Sequence, residues 1–212
     1  MKRVLVILAL LAAIPTAASA FTFADIQFWV GSGGNQAALV IDWYDGKHPV
    51  SLAWGFRWDG TATGRTMLDA IKMADPRLFE NYCGPTVVFG LGYDLDGDGF
   101  TYVPGPNETG YAADPDDHYQ EGWMTAGYWS YWIKSNTESS WSWSMGGITD
   151  RILTDGCWDG WKYAPAPIWD SGEPSEPVAA TVPEANSLLG LAGSLFAMGG
   201  LVVRRWFSQR TP

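Results

Sequence analysis

The sequence predicts an α+β domain, sheet-dominated with one main helix, and three observations predict it. Two apolar runs, 37–43 and 50–58, flank a turn built on Asp45-Gly46. One helical apolar period runs from Thr66 to Pro76, and aromatic-rich runs with strand character recur through the second half of the chain. Strands that outnumber helices and do not alternate with them point to α+β. In order, 37–43 is a β-branched and aliphatic run that enters the Asp-Gly hairpin signal. In the partner run Leu52, Trp54, Phe56 and Trp58 share one face, because side chains alternate along a strand. Met67, Leu68, Ile71 and Ala74 fall at helical spacing, Thr66 and Asp69 form a capping pair, and Pro76 ends the helix. Residues 86–93, 128–133, 141–143 and 158–163 return to strand. In 128–133, Trp129, Tyr131 and Ile133 face one way while Tyr128, Ser130 and Trp132 face the other.

The ends of the chain differ from its body. Lys2 and Arg3 precede an apolar stretch at 4–14, Pro15 interrupts it, and Ala18-Ser19-Ala20 is a small-x-small cleavage site. Residues 1–20 therefore read as a signal peptide, with the mature chain starting at Phe21. Residues 187–203 carry no charge, which is the short limit for a membrane helix of about 17–25 residues. Arg204, Arg205 and Arg210 follow at once, and positive charge there holds the C-terminus on the cytoplasmic side. The protein is expected to be exported and anchored in the membrane through this helix.

Before the span stands Thr181-Val182-Pro183-Glu184-Ala185. A Pro-Glu motif, a short Gly/Ala/Leu span and a terminal arginine cluster together resemble the PEP-CTERM sorting signal of exported bacterial proteins. The family pattern is Pro-Glu-Pro, and Ala185 departs from it in the last place. The resemblance implies an exosortase-type processing protease as partner, with Pro183, Glu184, Arg204 and Arg205 as the residues it reads. It also implies the cell surface or extracellular matrix as the destination. The resemblance covers 183–212 only. Pro165, Pro167, Pro174 and Pro177 make 164–182 read as a Pro-rich linker, a stalk holding the domain off the membrane. That leaves 21–163 as a Trp-rich globular domain.

The chain has 212 residues, 47% hydrophobic and 17% charged, with 13 Lys+Arg against 23 Asp+Glu and a net charge of −10. Lys2, Arg3, Arg204, Arg205 and Arg210 lie at the ends, so the exported body is more acidic still, which argues against nucleic acid as a partner. Serine-hydrolase, zinc-protease, phosphate-loop and dinucleotide signatures are missing. A non-enzymatic binding protein with no catalytic residues is expected; the alternative is a surface glycan hydrolase that uses an acidic pair.

Asp94, Asp96 and Asp98 put carboxylates at positions 1, 3 and 5 of a run with glycine, Gly99, at position 6. The run resembles the start of an EF-hand-like calcium loop, because a hard Ca²⁺ ion wants six to eight oxygens converging on a bend. The twelfth place is Gly105, where an EF-hand has a glutamate. Glu108, Asp114, Asp116 or Asp117 would complete the shell; otherwise the run is a Gly-rich turn capped by its own aspartates. Cys83 and Cys157, in an oxidising compartment, are expected to form a disulfide closing a loop of about 75 residues, worth roughly 4 kcal/mol.

The 13 tryptophans are more than one small core readily hides. Trp54, Trp58, Trp129, Trp132, Trp158 and Trp161 are the candidate lining of a ligand groove, although for any single ring ordinary core burial is the stronger expectation. Gly127-Tyr128-Trp129-Ser130-Tyr131-Trp132 and Gly156-Cys157-Trp158-Asp159-Gly160-Trp161, after the strand–helix unit with Thr66 to Ile71, look like surface proteins found with bacterial corrinoid uptake. Their layout is also similar to the small C-terminal domain of vertebrate cobalamin carriers. The resemblance implies a corrinoid as ligand, and aromatic stacking suits a glycan equally.

Overall fold

Residue 35 opens the first long strand, and from there the chain builds most of its sheet as the alternation predicts. The computed structural model describes residues 20–123, 125–170 and 172–183. The expected leader before Ala20, the span 187–203, and Glu184, Arg204 and Arg205 lie outside the described residues. Among the described residues no helix is long and apolar enough to cross a membrane. Of the described residues 39% are strand and 9% helix, the sheet-dominated, one-helix class expected.

A short 3-10 turn at Phe23–Asp25 leads into β1 (Trp29–Gly31), β2 (Asn35–Asp42) and β3 (Ser51–Trp58). The helix α1 (Gly64–Ala74) precedes β4 (Leu78–Cys83), β5 (Val87–Tyr93), β6 (Tyr102–Val103), β7 (Tyr111–Ala112) and β8 (His118–Glu121). Then come β9 (Gly127–Lys134), β10 (Ser142–Trp143), β11 (Cys157–Pro165) and β12 (Val178–Ala179). The main sheet runs β1-β3-β2-β11-β9-β10, with β12 also on β3. β2 and β3 form the antiparallel hairpin from Asn35↔Trp58 to Asp42↔Ser51. β1 covers Gly55–Arg57 and β12 covers Leu52–Ala53, both parallel to β3. The two ends of the body therefore lie in tandem along one edge of β3. A second antiparallel sheet has the order β4-β5-β8, and β6 and β7 form a small ribbon.

Leu52, Trp54, Phe56 and Trp58 do share a face. It packs with Leu39, Ile41, Trp129, Tyr131 and Trp161 against Met67, Leu68 and Ile71 of α1 and Leu78 and Leu91 of the second sheet. Each such side chain fully buried contributes roughly 1.5–3 kcal/mol before entropy is counted. The opposite face of the sheet holds Ala38, Val40, Ala53 and Trp158, covered by Ile26, Phe21 and Phe23.

The start of α1 differs from expectation. Thr63, not Thr66, is the N-cap: its hydroxyl accepts from the Thr66 amide at 3.1 Å. Asp69 is free of capping and pairs with Arg65 one turn earlier at 2.7 Å. At the other end the Asp75 amide closes on the Ile71 carbonyl at 2.7 Å. Pro76 follows, and lacking an N–H it cannot extend the ladder.

Two further expectations are corrected. The stretch 164–182 is no free stalk. Asp42 and Lys162 are both buried and paired at 3.1 Å, and buried charges need further partners. The Ser175 amide supplies one to Asp42 at 2.8 Å, and the Glu173 carbonyl accepts from the Lys162 ammonium at 3.0 Å. The segment then joins β3 as β12, and the Ala180 amide donates to the Ala53 carbonyl at 2.9 Å. The Cys83–Cys157 bridge does not form: both thiols are free. Cys157 is buried in the main sheet beside Ala37, whereas Cys83 is exposed at the end of β4 in the second sheet.

Candidate metal centre

Tyr93, the last residue of β5, pairs with His118, the first of β8. That register brings the loop after β5 beside the loop before β8, and with them two groups of aspartates far apart in sequence. Asp94 organises its own loop: one carboxylate oxygen accepts from the Gly97 amide at 2.7 Å, the other from the Gly99 amide at 2.9 Å. Gly97 and Gly99 have φ of 84° and 115°, a region in which a side chain would be strained. Asp96 accepts from the Asp98 amide at 3.1 Å. The expected self-capping of the turn is thus present.

It is not the whole arrangement. Asp117 is 1% exposed, and its Oδ1 accepts from the Leu95 amide at 3.0 Å. Its Oδ2 is buried and has no hydrogen-bond partner. Asp94, Asp96 and Asp117 each offer one oxygen to a common point, all within 4.8 Å of one another, and Asp96, Asp98 and Asp114 form a second such group. Two oxygens that bind one Ca²⁺ at about 2.4 Å are at most about 4.8 Å apart, so the inner carboxylates are close enough to share one metal ion. Asp94 and Asp96, which the spacing named, both fall in the inner group. Asp98 belongs instead to the more exposed outer group, and Asp117, one of four suggested completions, takes its place. Glu108 is engaged elsewhere, accepting from the Trp123 amide at 2.8 Å.

The carboxylates raise one another's pKa values. Burial pushes the Asp117 carboxyl above its ordinary range, and although the Leu95 amide opposes this, Asp94, Asp114 and Asp98 add to it. Asp98 is pushed up chiefly by Asp96 beside it. Two basic residues approach without entering. Lys47 donates to the Asp117 backbone carbonyl. Arg77 shares a cleft with Asp94, Asp96 and Pro183 but is committed to Asp75, with Nε 2.8 Å from Oδ1.

The expected tryptophan groove does not assemble. Trp54, Trp58, Trp129 and Trp161 are buried in the main core, and Trp158 is buried on the opposite face of the sheet. Trp54 donates to Asp75 at 3.0 Å, Trp58 stacks on Phe56 at 5.5 Å, and Trp161 stacks on Tyr131 at 4.2 Å. Only Trp132 of the six is half-buried. Ordinary core burial wins because both faces of the sheet are covered, one by α1 and the second sheet and the other by the N-terminal segment. The exposed rings lie outside these six, among them Trp169 at 40%. Trp169 stacks on Tyr128 at 6.3 Å and has a positive φ of 57°.

Fold and site together describe a sheet-dominated domain with an acidic, partly buried loop pair whose carboxylates could hold a metal ion. The chain matches no known family model, no curated protein and no solved structure.

Proposed function

We propose that the protein is an exported, non-enzymatic module of the bacterial cell surface or extracellular matrix, stabilised by a calcium ion held by Asp94, Asp96 and Asp117. The buried, unpartnered Oδ2 of Asp117 carries the calcium reading: an acceptor hidden from water without a donor costs about 1–3 kcal/mol, which a cation would recover. Export rests on the leader at 1–20. Sorting rests on the tail at 183–212, which an exosortase-type protease would read and cut. Melting in EDTA and in about 1 mM calcium tests the metal, since extracellular calcium modules bind near that concentration. A rise in melting temperature that Asp117→Asn abolishes supports it, and superimposable wild-type curves refute it. Mass spectrometry of the surface-released protein tests sorting: loss of the segment beyond Glu184 supports it, and a retained arginine-rich terminus refutes it.

Of the two ligands suggested by the sequence, the stack of the exposed Trp169 on the half-buried Tyr128 favours a glycan. A non-glycine residue at positive φ costs about 1–3 kcal/mol, and such strain collects where a side chain must be presented. Here the Tyr128 hydroxyl donates to the Trp169 carbonyl at 2.8 Å and holds the ring out. Tryptophan fluorescence titrated with polysaccharide and with cobalamin tests this. Quenching by polysaccharide that Trp169→Ala removes supports the glycan, and silence toward polysaccharide refutes it.

A further inference from the structure

The capping geometry at the start of the body aims one group across the molecule. Thr22 caps the first turn: the Thr22 amide donates to Asp25 Oδ2 at 2.8 Å, and the Ala24 amide donates to the Thr22 hydroxyl at 3.3 Å. The Phe21 nitrogen lies outside this box and donates instead to Glu176 Oε1, 155 residues later in the chain. The Phe21 ring stands edge-on to Trp158, with centroids 6.2 Å apart at 84°, and Phe23 packs on the same indole at 4.8 Å. Glu176 belongs to the returning segment, between the Ser175–Asp42 contact and β12.

We propose that leader removal between Ala20 and Phe21 creates an α-ammonium group whose receptor is the Glu176 carboxylate, locking the C-terminal segment onto the edge of β3. This rests on the export reading above. A leader peptidase breaks the Ala20–Phe21 amide with water: the Ala20 carbonyl carbon takes the hydroxyl, and the Phe21 nitrogen takes the hydrogen. The new acid then releases a proton and the amine binds one. A neutral amide N–H thereby becomes a charged donor with three hydrogens, and charge-assisted bonds to a carboxylate are roughly twice as strong as neutral ones. The pair joins two segments already laid in tandem on one strand. It therefore forms only after export, and it ties the seat of β12, which leads to the sorting tail, to the new N-terminus.

The test uses the full chain secreted from an exporting host, as wild type, Glu176→Gln and Glu176→Asp. N-terminal sequencing comes first. A mature terminus at any residue other than Phe21 overturns the export boundary and the lock together. With Phe21 confirmed, reductive methylation of the α-amine near neutral pH should be about fivefold slower in wild type than in Glu176→Gln, because the carboxylate holds the amine protonated and less than one pKa unit is at stake. Hydrogen exchange at the Ala180 amide should speed up in Glu176→Gln, and Glu176→Asp should restore part of both effects. Equal methylation rates in wild type and Glu176→Gln overturn the lock alone, whatever calcium does.

Discussion

Trp43 lies flat on the His118 ring, centroids 4.4 Å apart and planes 7° from parallel. The stack joins the end of β2 to the start of β8 and so ties the two sheets beside the aspartate loops. Both rings are fixed from the side as well. Trp43 Nε1 donates to the Leu91 carbonyl at 3.1 Å. The two nitrogens of His118 lie 2.9 Å from Asp45 Oδ2 and 2.9 Å from the Pro49 carbonyl, so the hairpin loop between β2 and β3 is held as well.

Asp45 makes this arrangement acid-sensitive. Burial pushes its carboxyl up, but the hydrogen bond and charge of His118, helped by the Lys47 amide and ammonium, outweigh burial and hold it below the ordinary value. A depressed acid contributes stability that is present above its unfolded pKa, near 3.9, and lost as pH falls through its lower folded value. Thermal melts should therefore drop steeply below about pH 4 in wild type. Asp45→Asn should flatten that limb and cost about 1–3 kcal/mol near neutrality, the scale for disrupting a buried hydrogen bond. Parallel wild-type and variant profiles would contradict this account.

The sequence shows this region only in pieces, and the reason is physical. β2, β3, β9 and β11 carry dense apolar or aromatic alternation, and α1 has a clear 3.6-residue period, so local pattern suffices for them. β4 (Leu78–Cys83) and β8 (His118–Glu121) are short and mix polar with aromatic residues. They become strands by pairing with β5, which is decided by distant residues. β12 (Val178–Ala179) hides among prolines because its stability comes from β3 and the buried Asp42–Lys162 pair. The site divides in the same way. Asp94 and Asp96 are legible from spacing, whereas Asp117 arrives through the Tyr93↔His118 register, which no local motif encodes. Alternation shows which rings share a face but not what covers that face, so core burial, the expectation for a single ring, holds for five of the six named tryptophans, while the groove read from the set does not assemble.

That division predicts a ranking among the aspartates. Asp117 and Asp96 belong to the inner group, and Asp98 belongs only to the outer one. In calcium titrations followed by calorimetry, Asp117→Asn should lose at least about tenfold in affinity, equivalent to 1.4 kcal/mol. Asp98→Asn should stay within about threefold of wild type. The reverse order would restore the EF-hand-like ligand set that spacing alone suggested.

The two free thiols predict a labelling pattern. Cys83 is exposed, whereas Cys157 is buried and its thiol is pushed up by burial and by Asp159. A thiol-specific reagent should take one equivalent per folded chain, at Cys83, and a second only in denaturant, because the thiolate is the reactive form. Reductant should leave the melting temperature unchanged. A loss of stability on reduction, approaching the roughly 4 kcal/mol of a long-loop disulfide, would reinstate the bridge.

Gly160 predicts how the returning segment is seated. It lies mid-strand in β11, opposite Val40 and Trp132. A Cβ there would stand 2.7 Å from Pro174 Cγ and 2.9 Å from the Trp141 ring. Glycine usually weakens a strand, and here its bareness is what lets the segment and the indole close over the sheet. Gly160→Ala should cost about 1–3 kcal/mol, the scale of overpacking. The damage should be local, because Pro174 and Trp141 lie on the outer face while α1 and the second sheet pack on the other. Hydrogen exchange at the Ala180 amide should accelerate well before exchange at the amides of β2, whose ladders to β3 and β11 the methyl group does not reach. Uniform acceleration across both would mean that the segment is an inseparable part of the core and not a flap resting on it.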